Sequence, residues 1–128
     1  MTRAFADTSV FVTLEQDRPR RRTLPDEILV SVVTIGELQL GVLMAADGAI
    51  RATRLKTLSY VESTFEPVPI DAAAAREWAR LVAHCRRRRQ RVPVNDLWIA
   101  ATAIVHGASV LTQDADYDGI PGLRVVKL

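Results

Sequence analysis

Apolar and polar positions alternate along this chain in two rhythms. Short apolar runs are followed by longer stretches in which apolar residues recur every three or four positions, the pattern of strands followed by helices. Ala4 to Ala6 reads as a strand that ends at Asp7, and a short helix follows from about Thr8 to Leu14. Glu15 to Glu27 is polar, basic and broken by Pro19 and Pro25, so it is expected to be a loop. Ile28 to Ser31 is a second strand. A helix from about Val33 to Ala46 carries Ile35, Leu38 and Val42 on one face, and Asp47-Gly48 marks the turn after it. The next helix, about Ala49 to Ser63, has the stripe Leu55, Leu58, Val61 and Phe65.

The second half repeats the alternation. Pro67 to Ile70 reads as a short strand. Asp71 is placed to cap a long helix with the stripe Ala74, Trp78, Leu81, Val82 and Cys85, and Pro93 closes the segment. A helix opened by Asn95 and Asp96 runs to near Gly107 and is apolar on nearly every side, so it is expected to be buried. Ser109 to Thr112 is a strand, Gln113 to Pro121 a loop and Leu123 to Val126 a last strand. Such alternation predicts an α/β fold, a central and mainly parallel sheet of about five short strands flanked by helices. At 128 residues the whole chain, 1–128, is expected to form one domain.

Composition narrows the class. The chain is 48% hydrophobic and 25% charged, which suits a globular protein and excludes intrinsic disorder. Cys85 is alone, so no disulfide within the chain can staple it. Neither an apolar leader nor a span long enough for a bilayer is visible, and a soluble cytoplasmic protein is expected. The net charge of +2 conceals a strong unevenness. Arg18, Arg20, Arg21 and Arg22 form one basic run, and Arg86, Arg87, Arg88, Arg89 and Arg91 form another. Without these arginines the chain is net acidic. A basic rim around an acidic centre suits a polyanion held by its flanking phosphates; two solvated surfaces are the plainer reading.

Four acids occupy comparable places in this layout. Asp7 ends the first strand, Glu37 lies early in the second helix, Asp96 opens the buried helix and Asp114 follows the late strand. Ligands of open parallel sheets bind beyond the carboxyl ends of the strands, so the four are expected to converge. At ~5 Å and an effective dielectric of ~20, each carboxylate pair repels by roughly 3 kcal/mol. A hard divalent cation removes that repulsion, and Mg²⁺ accepts a few carboxylates together with waters and phosphate oxygens. It also lowers the pKa of bound water and stabilises charge on a leaving oxygen, which is the chemistry of phosphodiester hydrolysis. Each acid has a structural alternative. Asp7 can cap the first helix, Glu37 can complete a capping box with Thr34, Asp96 suits a helix dipole, and Asp114, Asp116 and Asp118 can be turn formers.

Other patterns carry less. His84-Cys85 with Arg91 matches the spacing of cysteine phosphatases, but the segment has no glycine and continues a helical stripe. His106 before Gly107 is a helix-end position, and one cysteine with two separated histidines gives a zinc site no support. Trp78 and Trp98 lie in helical apolar patterns and read as core or interface.

Four segments, in order and over nearly the whole chain, resemble the motifs of PIN domains. They are Asp7-Thr8-Ser9, Glu37-Leu38 with Gly41, Asn95-Asp96-Leu97-Trp98-Ile99-Ala100-Ala101-Thr102-Ala103, and Thr112-Gln113-Asp114-Ala115-Asp116-Tyr117 with Ile120-Pro121-Gly122-Leu123. Together they resemble the VapC toxin branch. The resemblance implies an endoribonuclease that depends on Mg²⁺ or Mn²⁺ and cuts structured RNA such as tRNA or rRNA. It implies a homodimer neutralised by a cognate VapB antitoxin. It assigns catalytic and metal-holding roles to Asp7, Glu37, Asp96 and Asp114, with Asp116 an alternative fourth acid, and supporting hydrogen bonds to Thr8 and Thr112. Arg86, Arg87 and Arg89 are the candidate RNA-binding residues. Tyr117 stands where phenylalanine is commoner in the family and reads as a conservative packing change. The rival reading is a non-catalytic RNA-binding PIN domain that acts through its arginines.

Overall fold

A computed structural model describes residues 2–16 and 24–128. The basic run Arg18 to Arg22 and its Pro19 lie outside the described residues. The elements follow the order β1 (Arg3–Ala6), α1 (Thr8–Glu15), β2 (Glu27–Leu29), α2 (Val32–Leu43), α3 (Gly48–Thr64), α4 (Ala72–Arg87), α5 (Val94–Val105), β3 (Ser109–Thr112), a 3₁₀ turn (Ala115–Tyr117) and β4 (Val125–Lys127).

Four strands pair in the order β2-β1-β3-β4, all parallel. Successive side chains of a strand point to opposite faces, and the core divides accordingly. Ala4, Ala6 and Leu111 join one apolar cluster with residues of α1, α2 and α3. Phe5 and Val110, paired across β1 and β3, join the other with α4 and α5. The sheet is thus the middle of three layers. Chain connections leave the β1–β3 pair in opposite directions, β1 leading to β2 and β3 to β4. Between these two strands lies the switch point where parallel sheets open a crevice.

The expected elements are present, with shifts that have local causes. Of the roughly five strands expected, the described residues form four, and the segment Pro67 to Ile70 is reduced to one parallel bridge between Ser31 and Val68. Prolines on both sides of Val68 lack the N–H groups that a ladder needs. β2 ends earlier than expected because Ser31 is taken up as the cap of α2, its Oγ accepting from Val33 N at 3.1 Å. β4 starts later because Leu123 is held in the preceding turn, its N–H bonded to Ile120 O. In α3 the stripe is narrower than expected: Leu58 and Val61 are buried and Phe65 packs against them, whereas Leu55 is 49% exposed. Asp71 caps α4 as expected, accepting from Ala74 N at 2.9 Å.

α5 is the buried helix that its composition predicts. Leu97 and every residue from Ile99 to Ala103 are buried, and Trp98 stacks on Trp78 of α4 with ring centroids 4.3 Å apart. Gly107, at φ 65, turns the chain out of α5 so that β3 begins two residues later.

Candidate functional site

β1 and β3 run side by side, so Asp7 and Thr112, at their carboxyl ends, face each other. Thr112 Oγ1 donates to Asp7 Oδ2 at 2.7 Å, and Ser9 Oγ donates to the same oxygen at 3.1 Å. Thr112 Oγ1 also accepts from Asp114 N at 2.9 Å, and Ser9 Oγ accepts from Gln113 N at 3.0 Å. The two hydroxyls therefore lace Asp7 to the start of the loop after β3. Asp7 stands at the N-cap position of α1 yet makes no side-chain cap bond, so helix capping does not account for its carboxylate.

Glu37 takes no part in a capping box either, because Ser31 caps α2. Its Oε1 accepts from Thr8 Oγ1 at 2.7 Å, across the gap between α2 and α1. Asp96 sits in the first turn of α5, where the dipole favours a negative charge. Its Oδ1 accepts from the hydroxyl of Tyr117 at 3.2 Å. Asp114 begins the 3₁₀ turn and accepts from Asp116 N, so this acid does perform the turn-forming role that its loop suggests.

These placements bring one carboxylate oxygen each of Asp96, Asp114 and Asp116 within 4.8 Å of one another. Asp7 and Glu37 lie outside that triad but within reach of its field. Asp7 raises the pKa of both Glu37 and Asp96, and Asp114 raises that of Asp7. Burial is the largest cause for all three. It pushes Asp7 and Glu37 above the usual carboxylate range against the hydrogen bonds from Thr112, Ser9 and Thr8. Asp96 is pushed up to about 7, by burial first and then by the charge of Asp7, with the bond from Tyr117 acting against the rise. The phenol of Tyr117 is itself pushed up by burial and by the surrounding carboxylates.

The cations nearby attend the rim. Arg91 Nη2 pairs with Asp116 Oδ2 at 2.9 Å, and Lys127 Nζ pairs with Asp118 while donating to the carbonyl of Asp114. Among the described residues, none pairs with Asp7, Glu37 or Asp96. A cluster of oxygen donors in which only Asp116 is met by a cation suits a hard divalent ion. Octahedral ligands about 2.1 Å from such an ion stand at most about 4.2 Å apart, a little closer than the 4.8 Å within which the triad's oxygens lie. Two clefts flank the acids. One of about 330 Å³ is bordered by Glu37, Asn95, Asp96 and Arg91; the other, of about 300 Å³, by Asp116, Arg91, His84 and Gln90.

Sequence reasoning missed three participants. Ser9 was visible only as part of a motif, and its double role needs β1 and β3 side by side. Arg91 was one of several arginines in a run, and nothing in the run marks it as the one that meets Asp116. Tyr117 does more than fill space, because its hydroxyl reaches Asp96. Arg86, Arg87 and Arg89 are exposed at the end of α4, and Arg86 and Arg87 border a shallow cleft beside Trp78.

An acidic cluster at the switch point of a small parallel sheet fits a metal-binding domain, and residues 4–123 match the PIN domain family. The chain is 48% identical over 127 residues to Ribonuclease VapC4 of Mycobacterium tuberculosis, covering 98% of this chain and 97% of that protein. It is 46% identical over 123 residues to Ribonuclease VapC5 of the same organism, covering 95% and 90%. The crystal structure of VapBC-5, a member of the VapBC family of toxin–antitoxin systems from M. tuberculosis, superposes with a TM-score of 0.84 at 40% identity over the whole of both chains. The chain belongs to the PIN-domain family and, within it, to the VapC ribonucleases.

Proposed function

We propose that this protein is the endoribonuclease toxin of a type II toxin–antitoxin pair, hydrolysing phosphodiester bonds of structured RNA, tRNA or rRNA, with Mg²⁺ or Mn²⁺ held at the sheet edge. The observation that carries the reading is the convergence of Asp96, Asp114 and Asp116 beside Asp7 and Glu37 without a paired cation on Asp96. The ion, when bound, supplies a Lewis acid and an activated water. Asp96, Asp114 and Asp116 are the residues to hold it, together with Asp7 and Glu37 nearby. Glu37 faces the open cleft with its proton affinity raised and is placed to accept a proton from attacking water. Ser9, Thr8 and Thr112 keep Asp7 and Glu37 in place. Arg86, Arg87 and Arg89 bind the flanking phosphates.

The relatives named as ribonucleases and the VapBC complex support this reading. The VapBC complex also supports a VapB-type antitoxin as partner, and a homodimer is the free state that the family resemblance implies. Leu40 and Leu43 on α2 and Met44 at its cap, all more than half exposed, are the kind of apolar surface that a protein partner covers. No described helix is long and apolar enough to cross a membrane.

The test is a cleavage assay on purified tRNA and rRNA with Mg²⁺, with Mn²⁺ and with EDTA. Cleavage is expected with either metal and not with EDTA. Full activity in EDTA defeats the mechanism. Tight RNA binding with no cleavage under any metal condition favours the non-catalytic, arginine-driven reading.

A further inference from the structure

Among the described residues, Tyr117 is the largest fully buried side chain. It belongs to the apolar cluster of Leu81, Leu97 and Val110, where a phenylalanine ring fills space equally well and carries no hydroxyl to satisfy. The hydroxyl of Tyr117 has one side-chain partner, Asp96 Oδ1 at 3.2 Å. Among the described residues it is also the only hydrogen-bond donor to that carboxylate, whereas Asp7 has two.

Asp96 needs a tether. The charges of Asp7, Asp114 and Asp116 all act on it, and it is only partly buried. The terminal torsion of an aspartate is broad and weakly restrained, so an untethered carboxylate has to be ordered at the moment it takes an ion. We propose that Tyr117 is a positioning residue: its hydroxyl pins one oxygen of Asp96 and keeps the other available to a divalent cation shared with Asp114 and Asp116. The same 3₁₀ turn that carries Asp116 thereby aligns the acid contributed by α5. Partners of this kind, one shell behind a metal ligand, typically set metal affinity by a factor of ten or more. The inference rests on the metal-dependent reading above, and its test separates the two.

The experiment is a calorimetric titration of the purified protein with Mn²⁺ alone, for the parent and for Tyr117→Phe, with thermal melts in EDTA. Phenylalanine keeps the ring in the core, so the variant is expected to fold and to melt in EDTA close to the parent. Its Mn²⁺ binding is expected to weaken about tenfold. The double variant Asp96→Asn with Tyr117→Phe is expected to bind no more weakly than Asp96→Asn alone. Equal Mn²⁺ affinity of parent and Tyr117→Phe overturns the proposal, as does an additive loss in the double variant. A lower melting temperature in EDTA with unchanged affinity assigns the tyrosine to packing and overturns it too. A parent that binds no Mn²⁺ removes this proposal together with the metal-dependent reading beneath it.

Discussion

α4 and α5 pack against each other on one face of the sheet, and they use their ends in opposite ways. α5 is buried along most of its length and opens with Asp96 at the acidic edge. α4 buries a stripe of Ala74, Leu81 and Val82 and closes on Arg86 and Arg87. Both choices agree with the helix dipole, which favours anions at a start and cations at an end. Only a few residues separate the end of α4 from the start of α5, so the basic and acidic surfaces meet there, and Arg91 pairs with Asp116. Both helices also stop in the same way. The residue after the cap is left-handed and the next N–H reaches back five residues: Ala108 N to Ala103 O in α5, Gln90 N to Cys85 O in α4, both 2.9 Å. α5 places Gly107 in the left-handed position, whereas α4 places Arg89, at φ 55. The difference shows where local stability yields to charge: at the start of α5, where carboxylates crowd, and at the end of α4, where an arginine takes a glycine's conformation.

The largest effect is expected at the start of α5. Asp96→Asn removes one charge from a repelling set while keeping the shape of the side chain. RNA cleavage is expected to fall at least about a hundredfold, since metal-supplied stabilisation amounts to several kcal/mol. The metal-free variant is expected to melt above the metal-free parent and to lose most of the stabilisation that Mg²⁺ confers. A variant that cleaves normally takes Asp96 out of the site, and the comparison between the two helices then reduces to dipole complementarity.

The same residue predicts a pH dependence. The carboxyl of Asp96 is pushed up to about 7 in the fold, against an ordinary value of 3.8. The folded state therefore holds the proton more tightly than the unfolded one. Asp96 favours folding least where it is ionised, so metal-free stability drops as pH rises from about 4 to about 7. Asp7 and Glu37 are shifted the same way and add to the trend. Thermal melts in EDTA across this window are expected to show a steeper fall for the parent than for Asp96→Asn. Mg²⁺ binding is expected to weaken as pH drops below about 7, because protons and the ion compete for the same oxygens. Parallel pH profiles for parent and variant sink this account.

At the other helix end the effect is smaller and falls on binding. Replacing Arg86, Arg87 and Arg89 together with alanine is expected to weaken RNA binding and to flatten its salt dependence by roughly one unit of slope for each phosphate no longer neutralised. All three side chains are exposed, so the melting temperature should hardly move. An unchanged slope assigns these arginines to a solvated face.

The two helices also mark how far sequence reading reaches. α5 was legible because apolar residues all round its axis have no other place than a core. That acids would gather at one edge was legible because strand ends and helix starts share it in a parallel sheet, although the carboxylates that come together are Asp96, Asp114 and Asp116 rather than the expected four. Distances between side chains were not legible. Asp114 and Asp116 both approach Asp96 because a 3₁₀ turn folds them onto it, and a polar loop in sequence does not announce that turn. The fifth strand failed for a reason present in the sequence, the prolines flanking Val68, which outweigh the apolar run around them. Arg89's backbone was invisible, since the left-handed position ordinarily advertises itself with glycine or asparagine.

That last residue yields the smallest prediction. Arg89→Gly relieves the clash that a side chain suffers in the left-handed region, a gain of about 1 kcal/mol, or a rise in melting temperature of about 4 °C for a chain of this size. If the arginine is kept for RNA, the stabilised variant also loses about one unit of salt slope in RNA binding. Arg89→Lys is the control: it keeps the charge and the strain, so neither quantity should change much. A glycine variant that gains stability with an unaltered salt slope leaves the strain at Arg89 without a binding role. One that gains nothing shows that the end of α4 costs no more than the end of α5, and the contrast between the helices then rests on Asp96 alone.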